Sequence, residues 1–252
     1  MPKLRLKFAS HIAYSEWKSF WSSPEGGLAL GVFLILGGLW FYNSIANYTL
    51  ANLEALSRGH AVDATLALFS NSLDQLGIIL MLVTPLTTMR AFAIFTNGGH
   101  FDLLLAWPLT RAEIVLGHFL GAFASLVLLT LLSFLPYGIL ICLGVGSLKL
   151  LLISALGFIL LIAAFVSVGL AVSSITGSPL SSALCTLGIF VILWALGWAA
   201  PYLSETLAIL VQGLAFAPRL EHFNLGLLDL NDVLYFLTLT VVGLCLTKPF
   251  PK

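Results

Sequence analysis

Long apolar runs alternate with short polar segments along the whole chain, and this pattern predicts membrane-spanning helices. A spanning helix needs about 20 consecutive, mostly apolar residues. Residues 150–204 carry no Asp, Glu, Lys or Arg, and we divide them at Thr176-Gly177-Ser178-Pro179 because Gly and Pro end helices. The predicted spans are 27–44, 76–95, 114–136, 150–175, 180–200 and 233–248. We therefore expect a single all-α integral membrane domain of six transmembrane helices that covers residues 1–252.

The composition supports a membrane protein. Of the 252 residues, 60% are hydrophobic and 9% are charged, and the mean hydropathy is +1.06. A soluble protein carries about 25% charged residues, so these values exclude cytosolic enzymes, nucleic-acid-binding proteins and secreted disulfide scaffolds. Transmembrane β-barrels are excluded as well, because their strands alternate apolar and polar residues, whereas the apolar runs here are continuous.

The basic residues predict the orientation of the spans, because Lys and Arg are enriched in short cytoplasmic segments. With the N-terminus in the cytoplasm, eight of the 11 Lys and Arg residues fall on the inner side. Most charges on the outer side are then acidic. We therefore expect both termini in the cytoplasm.

Two segments outside the spans are predicted to form surface helices. Residues 10–22 place Trp17 and Phe20 among polar residues such as Glu16, a pattern typical of an amphipathic helix in the headgroup layer. The outer segment 201–232 is long enough for a helix packed on the bilayer surface.

Several kinds of chemistry are absent from the sequence. No lysine follows a glycine, so the chain lacks the phosphate-binding loop that holds ATP through Gly-Lys-Ser/Thr. It has no His-Glu-x-x-His motif for zinc, and we expect neither a metal site nor a cofactor in this chain. The middle of each span carries no Asp, Glu, Lys or Arg, whereas ion-driven carriers usually place ionisable residues at membrane depth.

His118 and Ser125 are candidates for an intramembrane enzyme. They lie on one predicted helix, along a stripe of small residues that includes Gly117 and Gly121. Small residues at four-residue spacing favour close packing between membrane helices. We therefore interpret the stripe as a packing surface and keep a serine nucleophile as the alternative.

The segment between spans two and three is unusual for a cytoplasmic turn. After Pro85-Leu86-Thr87-Thr88-Met89-Arg90 it reads Gly98-Gly99-His100-Phe101-Asp102-Leu103-Leu104-Leu105-Ala106-Trp107-Pro108-Leu109-Thr110-Arg111, and then Ile114-Val115-Leu116-Gly117-His118. A glycine pair, an acid, three leucines and a proline predict a turn, a short amphipathic helix and a stop.

This segment resembles the Pro-x-x-Thr-Met-Arg, Gly-Thr-x-Glu-Leu-Leu-Leu-Thr-x-Pro and Ile-Val-Leu-Gly-Lys pattern of ABC-2 type permeases of the gliding-motility type. The resemblance extends over almost the whole chain. Further matching pieces are Glu16 to Pro24, Leu161 to Thr176, and the run from His222 to Phe236 that includes Asp229 and Asp232.

The sequence departs from the family pattern at several charged positions. Ile94 and Phe95 stand where the family tends to have two acids, Asp102 replaces Glu, and His118 replaces Lys. The surface that would face an ATPase is therefore less charged than usual. This is expected of a divergent subfamily or of one half of a permease heterodimer.

The resemblance implies the non-catalytic membrane subunit of an ATP-binding-cassette (ABC) transporter in the bacterial cytoplasmic membrane. Two permeases, identical or paralogous, would pair and receive two copies of a separate ATPase subunit, which would hold ATP and Mg²⁺. A periplasmic or membrane accessory protein is a further expected partner. The implied ATPase-coupling residues are Gly98, Gly99, Asp102, Leu103, Leu104, Leu105, Pro108 and Arg111. The amphipathic helix, through Glu16, Trp17 and Phe20, would form a second contact.

The resemblance also implies that spans two and five face the dimer axis. Their polar residues, which form the candidate translocation path, are Thr84, Thr87, Thr88, Ser181, Ser182 and Thr186. An uncharged path suits an amphipathic or lipid-linked substrate better than a small ion, and it also suits a machine that transmits force without moving solute. An ATP-independent secondary carrier and an intramembrane enzyme remain the alternative functions.

Overall fold

The computed structural model describes residues 6–57, 64–89, 91–92, 110–202 and 204–247. All regular elements in these ranges are helices. In chain order they are α1 (Leu6–Ser22), α2 (Pro24–Ser57), α3 (Ala64–Thr88), α4 (Arg111–Ser133), α5 (Leu135–Cys142), α6 (Leu148–Ile175), α7 (Pro179–Ala199), α8 (Glu205–Leu214), α9 (Ala217–Asn224) and α10 (Leu230–Leu246).

Four helical stretches are long and apolar enough to cross a membrane, namely Pro24–Ala55, Arg111–Cys142, α6 and α7. Two shorter apolar stretches, Ser72–Thr88 within α3 and the whole of α10, coincide with the second and sixth predicted spans. These helices embed the protein in the membrane. Two boundaries differ from the prediction, since α2 extends far beyond residue 44 and α3 ends at Thr88 rather than at residue 95.

Polar side chains determine where several helices begin. Glu113 donates its amide to Thr110 Oγ1 (3.4 Å), and its Oε2 accepts from the amide of Thr110 (2.8 Å). This reciprocal capping box closes the first turn of α4. Ser147 and Ser178 cap α6 and α7, because their hydroxyl oxygens accept hydrogen bonds from the amides of Leu150 and Ser181.

Proline and glycine interrupt the long stretch between α4 and α6. Pro136, in the first turn of α5, coincides with the break after Ser133, because proline cannot donate a backbone hydrogen bond to the preceding turn. Gly144 (φ +83°) and Gly146 (φ +109°) then adopt the left-handed conformation that L side chains rarely tolerate. The turn between α5 and α6 therefore depends on these two glycines.

Helix α6 is the centre of the bundle and contacts α3, α4, α7, α9 and α10. Small residues permit these close approaches. A Cβ atom on Gly157 would lie 2.6 Å from the ring of Phe223 on α9, and one on Gly169 would lie 2.9 Å from the Cβ of Thr88 on α3. A Cβ atom on Gly243 of α10 would lie similarly close to Ser167. The helices therefore form one tightly packed bundle.

The bundle has two ends, which we name after the short helices found there. At the α1 end, α1 packs along the start of α4, next to the last turns of α3 and α6. At the α9 end, α9 packs on α6 and α3 near the start of α10. Leu220, Phe223 and Asn224 of α9 are fully buried, so α9 belongs to the bundle and is not a helix lying on the bilayer surface.

Candidate functional site

Helix α1 is docked lengthwise on the glycine stripe of α4. A Cβ atom on Gly117 would lie 2.7 Å from the side chain of Ile12, and one on Gly121 would lie 2.9 Å from the carbonyl oxygen of Ala13. The stripe is therefore a packing surface, as the four-residue spacing predicted. Its partner is the amphipathic helix and not another membrane span.

His118 and Glu16 join α1 to α4 through their side chains. His118 Nδ1 lies 3.0 Å from Glu16 Oε1, within ion-pairing distance, although the two groups are not aligned as a hydrogen bond. The His118 side chain is 8% exposed, and its ring meets the ring of Phe92 edge-on with 4.9 Å between centroids. The contact is an ion pair whenever His118 is protonated.

The aromatic residues of α1 face in different directions. Trp17 is 36% exposed, and Phe20 packs partly against the hydrophobic core. Phe20, Glu16 and His118 surround a cavity of about 10 Å³ that also touches Thr87. Helix α1 therefore contacts α4 and the last turn of α3 at the same place, while Trp17 remains at the surface of the chain.

The predicted coupling residues other than Arg111 lie outside the described residues. The residues on both flanks of that segment are described, and they make specific hydrogen bonds. On one flank, Ser173 Oγ of α6 accepts from the amide of Phe92 (3.1 Å) and donates to the carbonyl oxygen of Met89 (3.3 Å). On the other flank, the Thr110–Glu113 capping box begins α4, and Arg111 is exposed in its first turn. The described residues before this segment are therefore bonded to α6, and those after it begin α4.

Sequence reasoning missed the residues that form these anchors. Glu113 is buried, and the pattern Thr110-x-x-Glu113 is the sequence pattern of a capping box, so it was available from the sequence. Ser173 and Phe92 are far apart in the sequence, and no local pattern indicates that they pair. The long-range anchor therefore required the structure.

The threonines of the candidate path form hydrogen bonds within their own helix. Thr84 donates to the carbonyl oxygen of Leu80 (2.7 Å), and Thr87 and Thr88 both donate to the carbonyl oxygen of Thr84 (2.8 and 3.2 Å). Thr84 and Thr88 are fully buried within the single chain, and Thr88 packs against Gly169. These hydroxyl groups support the contact between α3 and α6.

The polar residues of α7 divide into two groups. Ser181 lies at the helix start, where its amide donates to Ser178 Oγ (3.2 Å) and its hydroxyl donates to the Ser178 carbonyl oxygen (2.9 Å). Ser182 and Thr186 are fully buried, and their hydroxyl oxygens have no hydrogen-bond partner. Of the six candidate path residues, these two leave polar groups available in the interior.

The geometry around Ser125 gives no support to a serine nucleophile. Ser125 is buried, and its hydroxyl donates to the carbonyl oxygen of Gly121 (3.0 Å). His118 directs Nδ1 towards Glu16 on α1. In the part of the chain that the structure describes, no group of three or more His, Cys, Asp or Glu residues is placed to hold a metal ion.

At the opposite end, a charged cluster fastens α9 to α10. Asp232 accepts from Arg219 Nη1 through Oδ1 and contacts His222 Nδ1 through Oδ2, each at 2.7 Å. Arg219 also donates to the carbonyl oxygen of Gly213 (2.9 Å) and stacks on the ring of Tyr235 at 4.1 Å. His222, Asp232 and Tyr235 belong to the sequence run that resembles the family element before the last span.

The sequence model of one family, described as ABC-2 family transporter protein, matches residues 28–246. The chain belongs to the ABC-2 transporter family. This match begins within α2 and ends with α10, so it covers nearly all of the apolar helices described above, whereas α1 lies outside it. Proteins of this family are membrane components of ABC transporters and in general work with an ABC ATPase. Among curated proteins, none matches this ABC-2 chain.

Proposed function

We propose that this chain is the permease subunit of an ABC exporter of the gliding-motility type in the bacterial cytoplasmic membrane. It moves a substrate across that membrane with energy from a separate ATPase subunit, which holds ATP and Mg²⁺. The family match over residues 28–246 supports the class of protein. The observation that carries the mechanism is the attachment of the two flanks of the coupling segment, Phe92 to α6 through Ser173 and Thr110 to the start of α4 through Glu113.

The anchoring suggests how ATP binding reaches the membrane helices. A segment held at both ends transfers displacement to the helices that hold it, because neither flank can move alone. Movement of residues 93–109 by the ATPase is therefore delivered to α6 and α4 together, and α1 moves with α4 because it is packed on Gly117 and Gly121. This is a rigid-body transmission between two arrangements of a packed bundle.

The proposed assembly places the α1 end on the cytoplasmic side. Six spans with both termini inside agree with the distribution of Lys and Arg. Two permeases, identical or paralogous, pair through α3 and α7 and receive two ATPase subunits, and a periplasmic or membrane accessory protein joins on the α9 side. The uncharged residues of α3 and α7, with Ser182 and Thr186 as interior hydroxyl groups, favour an amphipathic or lipid-linked substrate.

Co-expression with the ABC ATPase encoded by a neighbouring gene tests this function. The purified chain alone should show neither ATPase activity nor saturable ATP binding, because its sequence has no phosphate-binding loop. With the ATPase it should form an ATP-hydrolysing complex, measured by co-purification and native mass spectrometry. A transport-active assembly that lacks any ATPase would overturn the proposal in favour of a secondary carrier.

A further inference from the structure

A cleft of about 190 Å³ opens at the α9 end, between α3, α7 and α9. Its walls combine two acids with two indole rings and apolar side chains, namely Asp74, Glu221, Trp194, Trp198, Ile78 and Pro218. Trp194 is buried, whereas Trp198 is 64% exposed and Glu221 is exposed. The cleft therefore has an enclosed aromatic floor and an open, acidic rim.

Close backbone packing holds the walls of the cleft in place. A Cβ atom on Gly77 of α3 would lie 2.6 Å from the Trp194 ring, so the indole rests directly on the backbone of α3. A Cβ atom on Gly197 of α7 would lie 3.1 Å from the ring of Pro218, which joins α7 to α9 in the same manner. Asp74 accepts from Asn224 Nδ2 at 2.6 Å, and this bond fixes one acid of the cleft. The site is preformed.

The basic side chains of α9 contact a residue outside the cleft. Arg219 and His222 both contact Asp232, each at 2.7 Å, and Arg219 also stacks on Tyr235. Neither Arg219 nor His222 is among the residues that line the cleft. Among the described residues that line the cleft, none carries a basic side chain that could neutralise Asp74 or Glu221.

Acids and indole rings that line the same cleft are the chemistry that recognises ammonium groups. Trp is the aromatic side chain that attracts cations most strongly, and methylated ammonium ligands are bound in proteins by aromatic cages. Pockets for drug-sized molecules have volumes of about 300–1,000 Å³. The cleft is smaller, so it is suited to a single headgroup.

We propose that the cleft binds an ammonium group between the carboxylates of Asp74 and Glu221 and the rings of Trp194 and Trp198. The group belongs either to a free organic cation or to the headgroup of an ethanolamine or choline lipid. Binding at this site does not depend on the ATPase, so its test is separate from that of the proposed function.

The test uses the full chain in nanodiscs of phosphatidylglycerol, which has no ammonium group. Titration with tetramethylammonium or choline chloride should change the tryptophan fluorescence saturably, whereas sodium chloride at equal ionic strength should not. Glu221→Gln and Asp74→Asn should each weaken binding by about tenfold, which corresponds to the loss of one strong contact to a cation. Asp229→Asn is the matched control, because Asn caps α10 as well as Asp and residue 229 does not line the cleft.

A second arm distinguishes a lipid headgroup from a free cation. If the ammonium group comes from a lipid, the wild-type chain in mixed nanodiscs should retain phosphatidylethanolamine in preference to phosphatidylglycerol, as measured by native mass spectrometry. Glu221→Gln should show no such preference. Glu221 is exposed, so this variant should fold even if Asp74→Asn does not. Absence of saturable ammonium binding together with absence of lipid enrichment would overturn the proposal. The proposal would also be overturned, in favour of a metal site, if calcium chloride bound saturably at the same residues and ammonium did not compete with it.

Discussion

Gly121 sets the distance between α1 and α4. Because the carbonyl oxygen of Ala13 and the Cβ of Glu16 would lie 2.9 and 2.6 Å from a new Cβ atom, neither helix can accept a methyl group without moving. Backbone atoms cannot rotate away as a flexible side chain can. The contact between α1 and α4 is therefore sensitive to one carbon atom.

We predict that Gly121→Ala lowers the thermal stability of the chain in detergent, because overpacking of a well-packed interface costs about 1–3 kcal/mol. Gly38→Ala on α2 is the matched control. No atom lies within 4 Å of a Cβ placed there, so the better helix propensity of Ala leaves stability unchanged or raises it by up to about 1 kcal/mol. Equal changes in melting temperature for the two variants would contradict the packing described for α1.

Ser173 holds the end of α3 against α6 with one hydroxyl group. We predict that Ser173→Ala leaves the buried amide of Phe92 without this acceptor, at a cost of about 1–3 kcal/mol. Hydrogen–deuterium exchange should become faster in the peptide that contains residues 89–92. Thr240→Ala is the control, because the Thr240 hydroxyl donates to the carbonyl oxygen of Phe236 on its own helix (2.7 Å). Unchanged exchange in the Ser173 variant would show that the anchor is weak.

At the scale of the elements, the proposed coupling segment, residues 98–108, is tested by a variant that separates ATPase binding from folding. We predict that Leu104→Arg abolishes co-purification of the ATPase and stimulated ATP hydrolysis, because buried apolar anchors at an interface cost about 2 kcal/mol or more when lost. Membrane insertion should stay normal, since residue 104 lies outside the predicted spans. Leu30→Arg in α2 should instead harm insertion first, because it places a charge within a membrane-spanning helix.

Yield in the membrane and ATPase recovery are the two measurements for these variants. Normal values of both for Leu104→Arg would mean that residues 98–108 do not couple the ATPase to the membrane helices. Loss of both membrane yield and ATPase recovery in Leu104→Arg, as expected for Leu30→Arg, would mean that the substitution acts on folding.

The elements also show which parts of the fold can be predicted from sequence and why. Charge-free runs identify membrane helices because each helix satisfies its own backbone, so no distant partner is needed. The residues against which a helix packs cannot be predicted in this way. The amphipathic pattern of α1 predicts its apolar face but cannot indicate that this face packs on the glycines of α4. Similarly, Arg219, Glu221 and His222 make α9 polar in composition, which hides the burial of Leu220 and Phe223.

At the scale of the whole molecule, orientation is the property on which the proposed mechanism depends. We predict that His100→Cys and Phe250→Cys, introduced one at a time into a chain without its three native cysteines, react with impermeant maleimide only from the cytoplasm. His60→Cys and Leu225→Cys should react only from outside. The physical reason is the excess of Lys and Arg on the side of the termini. Reaction of the residue 100 variant from outside would invert the topology and remove the ATPase-coupling role.

The length of α10 has a consequence for the surrounding lipid. It has 17 residues, which correspond to about 25 Å at 1.5 Å per residue, against a hydrocarbon thickness of about 30 Å. Leu237, Val241 and Val242 are exposed along it, and we expect these apolar side chains to face lipid. A shortfall of this size is met by thinning of the bilayer, at a fraction of a kcal/mol for each ångström. If α10 crosses the membrane as the sixth predicted span, we predict that the bilayer is thinner beside it and that lipids with short or disordered chains gather on that side of the protein.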